Sequence, residues 1–83
     1  MFYVYVVFNR KHKKFYIGQT ADLKERLILH NAKTFKGSYT ASFDGEWELV
    51  YSESAVNRKA ALIREKQLKS YRGREFLKKY IPA

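Results

Sequence analysis

The stretch Tyr3-Val4-Tyr5-Val6-Val7-Phe8 is β-branched or aromatic throughout, and a second strand-like run, Lys14-Phe15-Tyr16-Ile17-Gly18, follows the polar stretch Asn9–Lys13. Such side chains favour a pleated backbone. Two strands this close in sequence pair as an antiparallel hairpin. Alternation puts Val4, Val6 and Phe8 on one face and Tyr3, Tyr5 and Val7 on the other. A four-residue loop over 9–12 predicts Tyr5 opposite Tyr16, Val4 opposite Ile17 and Val6 opposite Phe15.

Gly18 ends the second strand and Gln19-Thr20-Ala21 turns the chain. Asp22, with Glu25 three residues on, forms a helix N-cap of capping-box type. The helix runs from Leu23 to about Asn31, with Leu23, Arg26, Leu27 and His30 on one stripe. Residues 33–46 form a loop, basic in its first half. Trp47 to Ser52 alternates, with Trp47, Leu49 and Tyr51 against Glu48, Val50 and Ser52, and predicts a third strand. Ser54 caps a helix from Ala55 to about Ser70, Gly73 breaks the chain, and Arg74 to Tyr80 forms a short last helix. The sole proline is Pro82, so no interior element is interrupted by one. The order β-β-α-β-α-α predicts a small α+β sandwich with one mixed or antiparallel sheet.

Eighty-three residues accommodate one domain, 1–83, and 46% hydrophobic residues suffice for a core. The chain has no cysteine, which excludes a disulfide scaffold, a zinc–cysteine site and a thiol nucleophile. The longest apolar run, Val4 to Phe8, is too short to span a membrane. Met1 leads into a strand-like run without a charged start, so no signal peptide is expected and a cytoplasmic location is. Seventeen Lys and Arg against eight Asp and Glu give a net charge of +9. A small domain so charged attracts polyanions, nucleic acid foremost. The plainer alternatives are a solubilising surface or a ribosome-associated fragment.

Several side chains sit awkwardly for an ordinary core. Glu65 has Ala61, Leu62 and Leu68 as helical neighbours, which places a carboxylate on or beside the apolar stripe. An arginine or lysine, a metal ion or solvent must compensate it. Arg26 shares its stripe with Leu23 and Leu27, and either snorkels to water, pairs with Glu65 or clamps a phosphate. Tyr5 and Tyr16 are cross-strand packing partners or paired phenols of a site. His30 is a hydrogen-bonded packing residue or a catalyst. Other constellations are missing: no Ser-His-Asp arrangement, no Gly-rich phosphate loop, and only two aspartates, Asp22 and Asp44. Phosphoryl chemistry here would have to use one metal ion, tyrosines and an arginine.

Tyr3-Val4-Tyr5 followed by Tyr16-Ile17-Gly18 resembles the paired tripeptides of the GIY-YIG nuclease superfamily. The segment Gln19-Thr20, Asp22-Leu23, Arg26-Leu27 and His30-Asn31 is similar to that family's strand-to-helix stretch. Arg64-Glu65-Lys66-Gln67-Leu68-Lys69 resembles the helix bearing its metal-binding glutamate. The likeness covers nearly the whole chain and is greatest to the small, single-domain bacterial members related to the N-terminal nuclease domain of the excinuclease C subunit. Two departures stand out: Tyr3 occupies the usual position of the first glycine, and no asparagine follows Asn57.

The resemblance implies helices around a three-stranded antiparallel sheet, and metal-dependent hydrolysis of DNA phosphodiesters, in repair or recombination. Carried over by position, Tyr5 and Tyr16 are the paired phenols and Arg26 neutralises the scissile phosphate. Glu65 holds a single Mg²⁺ or Mn²⁺ completed by water and phosphate oxygens. His30 assists phosphate binding or proton transfer, with Tyr39 in a similar supporting role. Lys13, Lys14, Lys33, Lys36, Tyr39, Lys69 and Arg72 are the candidate nucleic-acid contacts, with Arg58, Lys59 and Arg74 as further cations. Two other functions compete: a nucleic-acid-binding module that does not cleave, and an interaction subunit of a repair complex with a protein partner. The pattern leaves the oligomeric state open.

Overall fold

The structure is a computed structural model that describes residues 1–32 and 40–82. Strands β1 (Phe2–Asn9) and β2 (Lys14–Thr20) precede helix α1 (Leu23–Asn31). A 3-10 turn at Thr40–Ser42 is followed by β3 (Trp47–Ala55), α2 (Arg58–Leu68) and α3 (Tyr71–Leu77). The strands form one antiparallel sheet in the order β2-β1-β3, the α+β arrangement expected. Among the described residues no helix is long and apolar enough to cross a membrane.

β1 takes the centre because it alone is apolar on both faces: Val4, Val6 and Val7 are fully buried. Val4, Val6 and Ile17 pack with Ala61, Leu68 and Leu77 of α2 and α3. Tyr5, Val7 and Trp47 form a second cluster with Tyr16, Leu23, Leu27 and Phe43 on the α1 side. Asp22 caps α1 as expected, its Oδ1 accepting from Glu25 N at 3.0 Å.

The hairpin register differs from the expected one. Tyr5 pairs with Gly18, Val6 with Ile17 and Phe8 with Phe15. The turn spans 10–13 rather than 9–12, closed by Lys13 in the left-handed region at φ 53°. Asn9 stays in β1, fully buried, its Nδ2 donating to Asp44 O at 2.9 Å and its Oδ1 accepting from His12 N at 3.1 Å. The slip is by an even number of residues, so the faces survive: Tyr5 and Tyr16 share one, as diagonal rather than direct neighbours.

Three other boundaries move. In β3 the partner of Val6 is Tyr51 but that of Val7 is Leu49, so a bulge interrupts the alternation. Trp47 therefore faces the α1 side while Tyr51 packs on the opposite side. β3 continues to Ala55 because β1 still offers Phe2 and Tyr3 for pairing. Asn57, not Ser54, then caps α2, accepting from Ala60 N at 2.9 Å. Gly73 lies buried inside α3 instead of breaking the chain. A Cβ there would run into the Gln67 carbonyl and Leu68 backbone, so glycine lets α3 fold back against the end of α2.

Candidate active site

Tyr5 stands in the middle of the central strand, 3% exposed, with its side chain toward α1. Its phenol lies across Gly18, where a Cβ would be 2.6 Å from Tyr5 Oη and 2.9 Å from the Tyr16 ring. Glycine at this position is thus what lets the two phenols converge on one spot. Their ring centroids are 6.4 Å apart.

The last turn of α1 brings His30 to the same place. His30 is 4% exposed, and its ring lies 5.8 Å from that of Tyr5 and 5.4 Å from that of Tyr16. His30 Nε2 is 2.8 Å from Tyr5 Oη, and His30 Nδ1 is 2.8 Å from Thr40 Oγ1. Burial, the neighbouring Tyr16 and the Glu65 carboxylate push the Tyr5 phenol above its ordinary range, against the pull of the Arg26 guanidinium. Arg26 acts on the phenol from α1 and Glu65 from α2.

The Glu65 side chain is 19% exposed and accepts from Lys69 Nζ at 2.8 Å, one helical turn on. Its compensating charge is therefore the lysine of its own helix, not Arg26. The Lys69 side chain is 49% exposed, which keeps the pair open to solvent. Mg²⁺ commonly takes one or two carboxylates and completes its shell with water and substrate oxygens. Among the described residues no group of three or more His, Cys, Asp and Glu side chains forms a metal cage.

Two openings flank β2. An open groove of about 530 Å³ is lined by Lys13, Lys14, Phe15, Tyr16, Ile17, Lys69 and Arg74. A smaller one of about 320 Å³, around Gln19–Asp22, includes Arg26 and Arg58. Lys13, Lys14 and Lys69 are thus gathered beside Tyr16, with Arg74 joining them. Arg72 is not; it lines a separate depression with Arg64 and Phe76. Lys33, Lys36 and Tyr39 lie outside the described residues.

Three side chains around the site, Thr40, Trp47 and Asn31, are not among the expected site residues. Thr40 is 1% exposed beside His30, and its carbonyl accepts from Trp47 Nε1 at 3.1 Å. The Asn31 amide grips the Trp47 backbone, accepting from Trp47 N at 2.7 Å and donating to Trp47 O at 3.0 Å. These contacts join positions 7 to 16 residues apart, where no periodicity links them.

Sequence comparison adds a finding over nearly the whole chain. The model of the GIY-YIG catalytic domain aligns with residues 1–80. The chain belongs to the GIY-YIG family. Its fold is similar to the solution NMR structure of the UPF0213 protein BH0048 from Bacillus halodurans, with a TM-score of 0.52 and 29% identity over 93% of this chain and 82% of that one. No curated protein matches. GIY-YIG domains are nuclease domains, and nucleases of the family generally use divalent metal ions.

Proposed function

We propose that this GIY-YIG chain is a metal-dependent endonuclease domain that hydrolyses phosphodiester bonds in DNA. The observation that carries this is the 2.8 Å contact between the Tyr5 phenol and His30 Nε2, at the point where Tyr16 also converges. A phenol is a poor base at neutral pH. Backed by an imidazole it need not start as phenolate: Tyr5 takes a proton from the attacking water as its own passes to His30 Nε2. The water oxygen forms the new P–O bond, the bond to the leaving oxygen breaks, and that oxygen takes a proton from solvent. His30 then returns its proton to solvent. Arg26 offsets charge on the phosphate with a planar fork of donors. Tyr16, on the wall of the basic groove, orients the phosphate.

Glu65 is the residue that would hold Mg²⁺ or Mn²⁺, which when bound supplies Lewis-acid stabilisation of charge on the phosphate. Its i,i+4 pair with Lys69 would have to open, and the half-exposed lysine end lets it do so toward solvent. Lys13, Lys14, Lys69 and Arg74 follow the DNA backbone away from Tyr16, and the net charge of +9 draws the polyanion in.

The test is cleavage of supercoiled plasmid and of nicked, branched and flap DNA with Mg²⁺ or Mn²⁺, alongside Glu65→Gln and Arg26→Ala. Each substitution is expected to lower kcat about 10²–10³-fold, the usual effect of removing one charge-stabilising group, with circular dichroism unchanged. Salt-dependent DNA binding without cleavage by the unsubstituted chain would establish the binding-module function instead. A footprint of about five phosphates then gives a log–log salt slope near −4.5 on duplex DNA.

A further inference from the structure

We infer that Thr40 is a positioning residue that fixes the tautomer of His30, holding the imidazole proton on Nδ1 so that Nε2 is free to take the Tyr5 proton. This rests on the proposed nuclease chemistry for its consequence but not for its geometry. A neutral imidazole carries one N–H and one lone pair, and its neighbours decide which nitrogen has which. His30 is nearly buried, with Tyr5 Oη 2.8 Å from Nε2 and Thr40 Oγ1 2.8 Å from Nδ1. A buried phenol that is protonated at neutral pH has to donate its O–H, and Nε2 is the acceptor within hydrogen-bonding distance. The proton of His30 is then on Nδ1, and Thr40 Oγ1 accepts it.

With the opposite tautomer, Nε2–H would point at Tyr5 and the proton acceptor would be lost. Without the Thr40 oxygen, Nδ1–H would lose this acceptor, and weakening the hydrogen bond of a buried donor is costly. The ring would then drift toward the unproductive tautomer. Thr40 is well placed to prevent this because its own position is fixed. Its carbonyl accepts from the fully buried Trp47 indole, and the Trp47 backbone is held at both N and O by Asn31. Asn31 directly follows His30 on α1. The circuit His30–Thr40–Trp47–Asn31 therefore closes on the helix end it started from, and the threonine oxygen cannot move independently of the imidazole it serves.

The experiment is long-range ¹H–¹⁵N correlation on protein labelled at histidine nitrogens, at neutral pH, with His12→Gln to separate the two histidines. The expected spectrum has His30 Nδ1 protonated and Nε2 unprotonated. Thr40→Val, nearly isosteric, is expected to shift His30 toward the Nε2–H form, and Thr40→Ser to restore the original pattern. If cleavage is observed, Thr40→Val should lower kcat about 10–100-fold, the scale on which a supporting hydrogen bond acts, at unchanged KM, with Thr40→Ser recovering most of the rate. His30 protonated on Nε2 in the unsubstituted protein would overturn the inference, as would a tautomer indifferent to Thr40→Val. Should the valine variant fail to fold, Thr40→Ala gives the same decision by the same spectrum. A chain that shows the expected tautomers yet cleaves nothing would sink the nuclease proposal and leave Thr40's hold on His30 standing.

Discussion

The two sides of the central sheet are built from the same strands yet obey different rules. On the α2–α3 side, Val4, Val6, Ile17, Ala61, Leu68 and Leu77 form an all-apolar cluster. On the α1 side, Tyr5, Val7 and Trp47 enclose buried His30 and Thr40 in a hydrogen-bonded network. The first side needs only volume and hydrophobicity, and tolerates change to the extent that space can be refilled. The second needs each donor to meet its acceptor, because an unpaired polar group in a low-dielectric interior is costly. The difference teaches where to look in a domain this small: one face of the sheet is an apolar core, and the buried hydrogen-bonded groups are gathered on the other.

The sharpest way to break that division is Tyr5→Phe, which keeps the ring and deletes the phenol oxygen. Loss of one positioned acid–base group is expected to lower kcat about 10²–10⁴-fold. Thermal unfolding should register only the stranded His30 nitrogen, about 1–3 kcal/mol. The mirror-image change is Leu77→Ala on the apolar side. Leu77 is fully buried, and truncating it is expected to cost about 2–5 kcal/mol in urea unfolding. At temperatures where the variant remains folded, its kcat should match that of the parent. If both substitutions moved stability and rate together, the division of labour would be wrong.

A pair of glycines sharpens the same contrast with a single methyl group. At Gly18 the added Cβ meets two flexible side chains, Tyr5 and Tyr16; at Gly73 it meets the backbone of Gln67 and Leu68. Gly18→Ala should displace the phenols and cut the rate about 10²-fold, the effect of a misplacement near 1 Å, at modest cost in stability. Gly73→Ala should lower stability by about 1–3 kcal/mol through overpacking, reversing the gain that alanine normally brings to a helix interior. Thermal melts and cleavage rates on both proteins decide it.

How much of this was legible in the sequence depends on whether a feature is written in neighbouring residues. α1 was, from the Asp22 cap to Asn31, because cap and stripe are both local. So was the shared face of Tyr5 and Tyr16, since alternation survives an even slip of register. The register itself was not, because it hangs on Lys13 adopting a left-handed conformation, for which lysine carries no signal. Ser54 and Asn57 are both competent caps; the length of β1 chooses between them, and that is a fact about the partner strand. Gly73 has the local signature of a breaker, and only the close approach of α2 turns it into a packing residue. In the site, Glu65 was legible as a carboxylate needing compensation, and Lys69 provides it within the same helix. The Tyr5–His30 contact spans 25 residues and His30–Thr40 spans 10. Such contacts arise only once α1 lies on the sheet.

The smallest expected effect concerns alkaline pH, and it again sets one face against the other. The phenols of Tyr5 and Tyr51 are both raised above the ordinary value, by burial first in each case. For Tyr5, Tyr16 and Glu65 add to burial while Arg26 opposes; for Tyr51, Glu53 adds and Arg64 opposes by hydrogen bonding. In the unfolded chain these phenols lose their protons near pH 10, while the folded chain still holds them. Above that pH the unfolded state therefore binds fewer protons, and the linkage relation makes stability fall as pH rises. One group contributes at most about 1.4 kcal/mol per pH unit, and nothing below the unfolded value. Tyr5→Phe should flatten the decline in urea midpoint between about pH 10 and 11 more than Tyr51→Phe does, because only Tyr5 is shifted far from its ordinary value. No flattening by Tyr5→Phe would mean that the Tyr5 phenol is as solvated as any surface tyrosine, and its hydrogen bond to a buried imidazole would then have no energetic consequence.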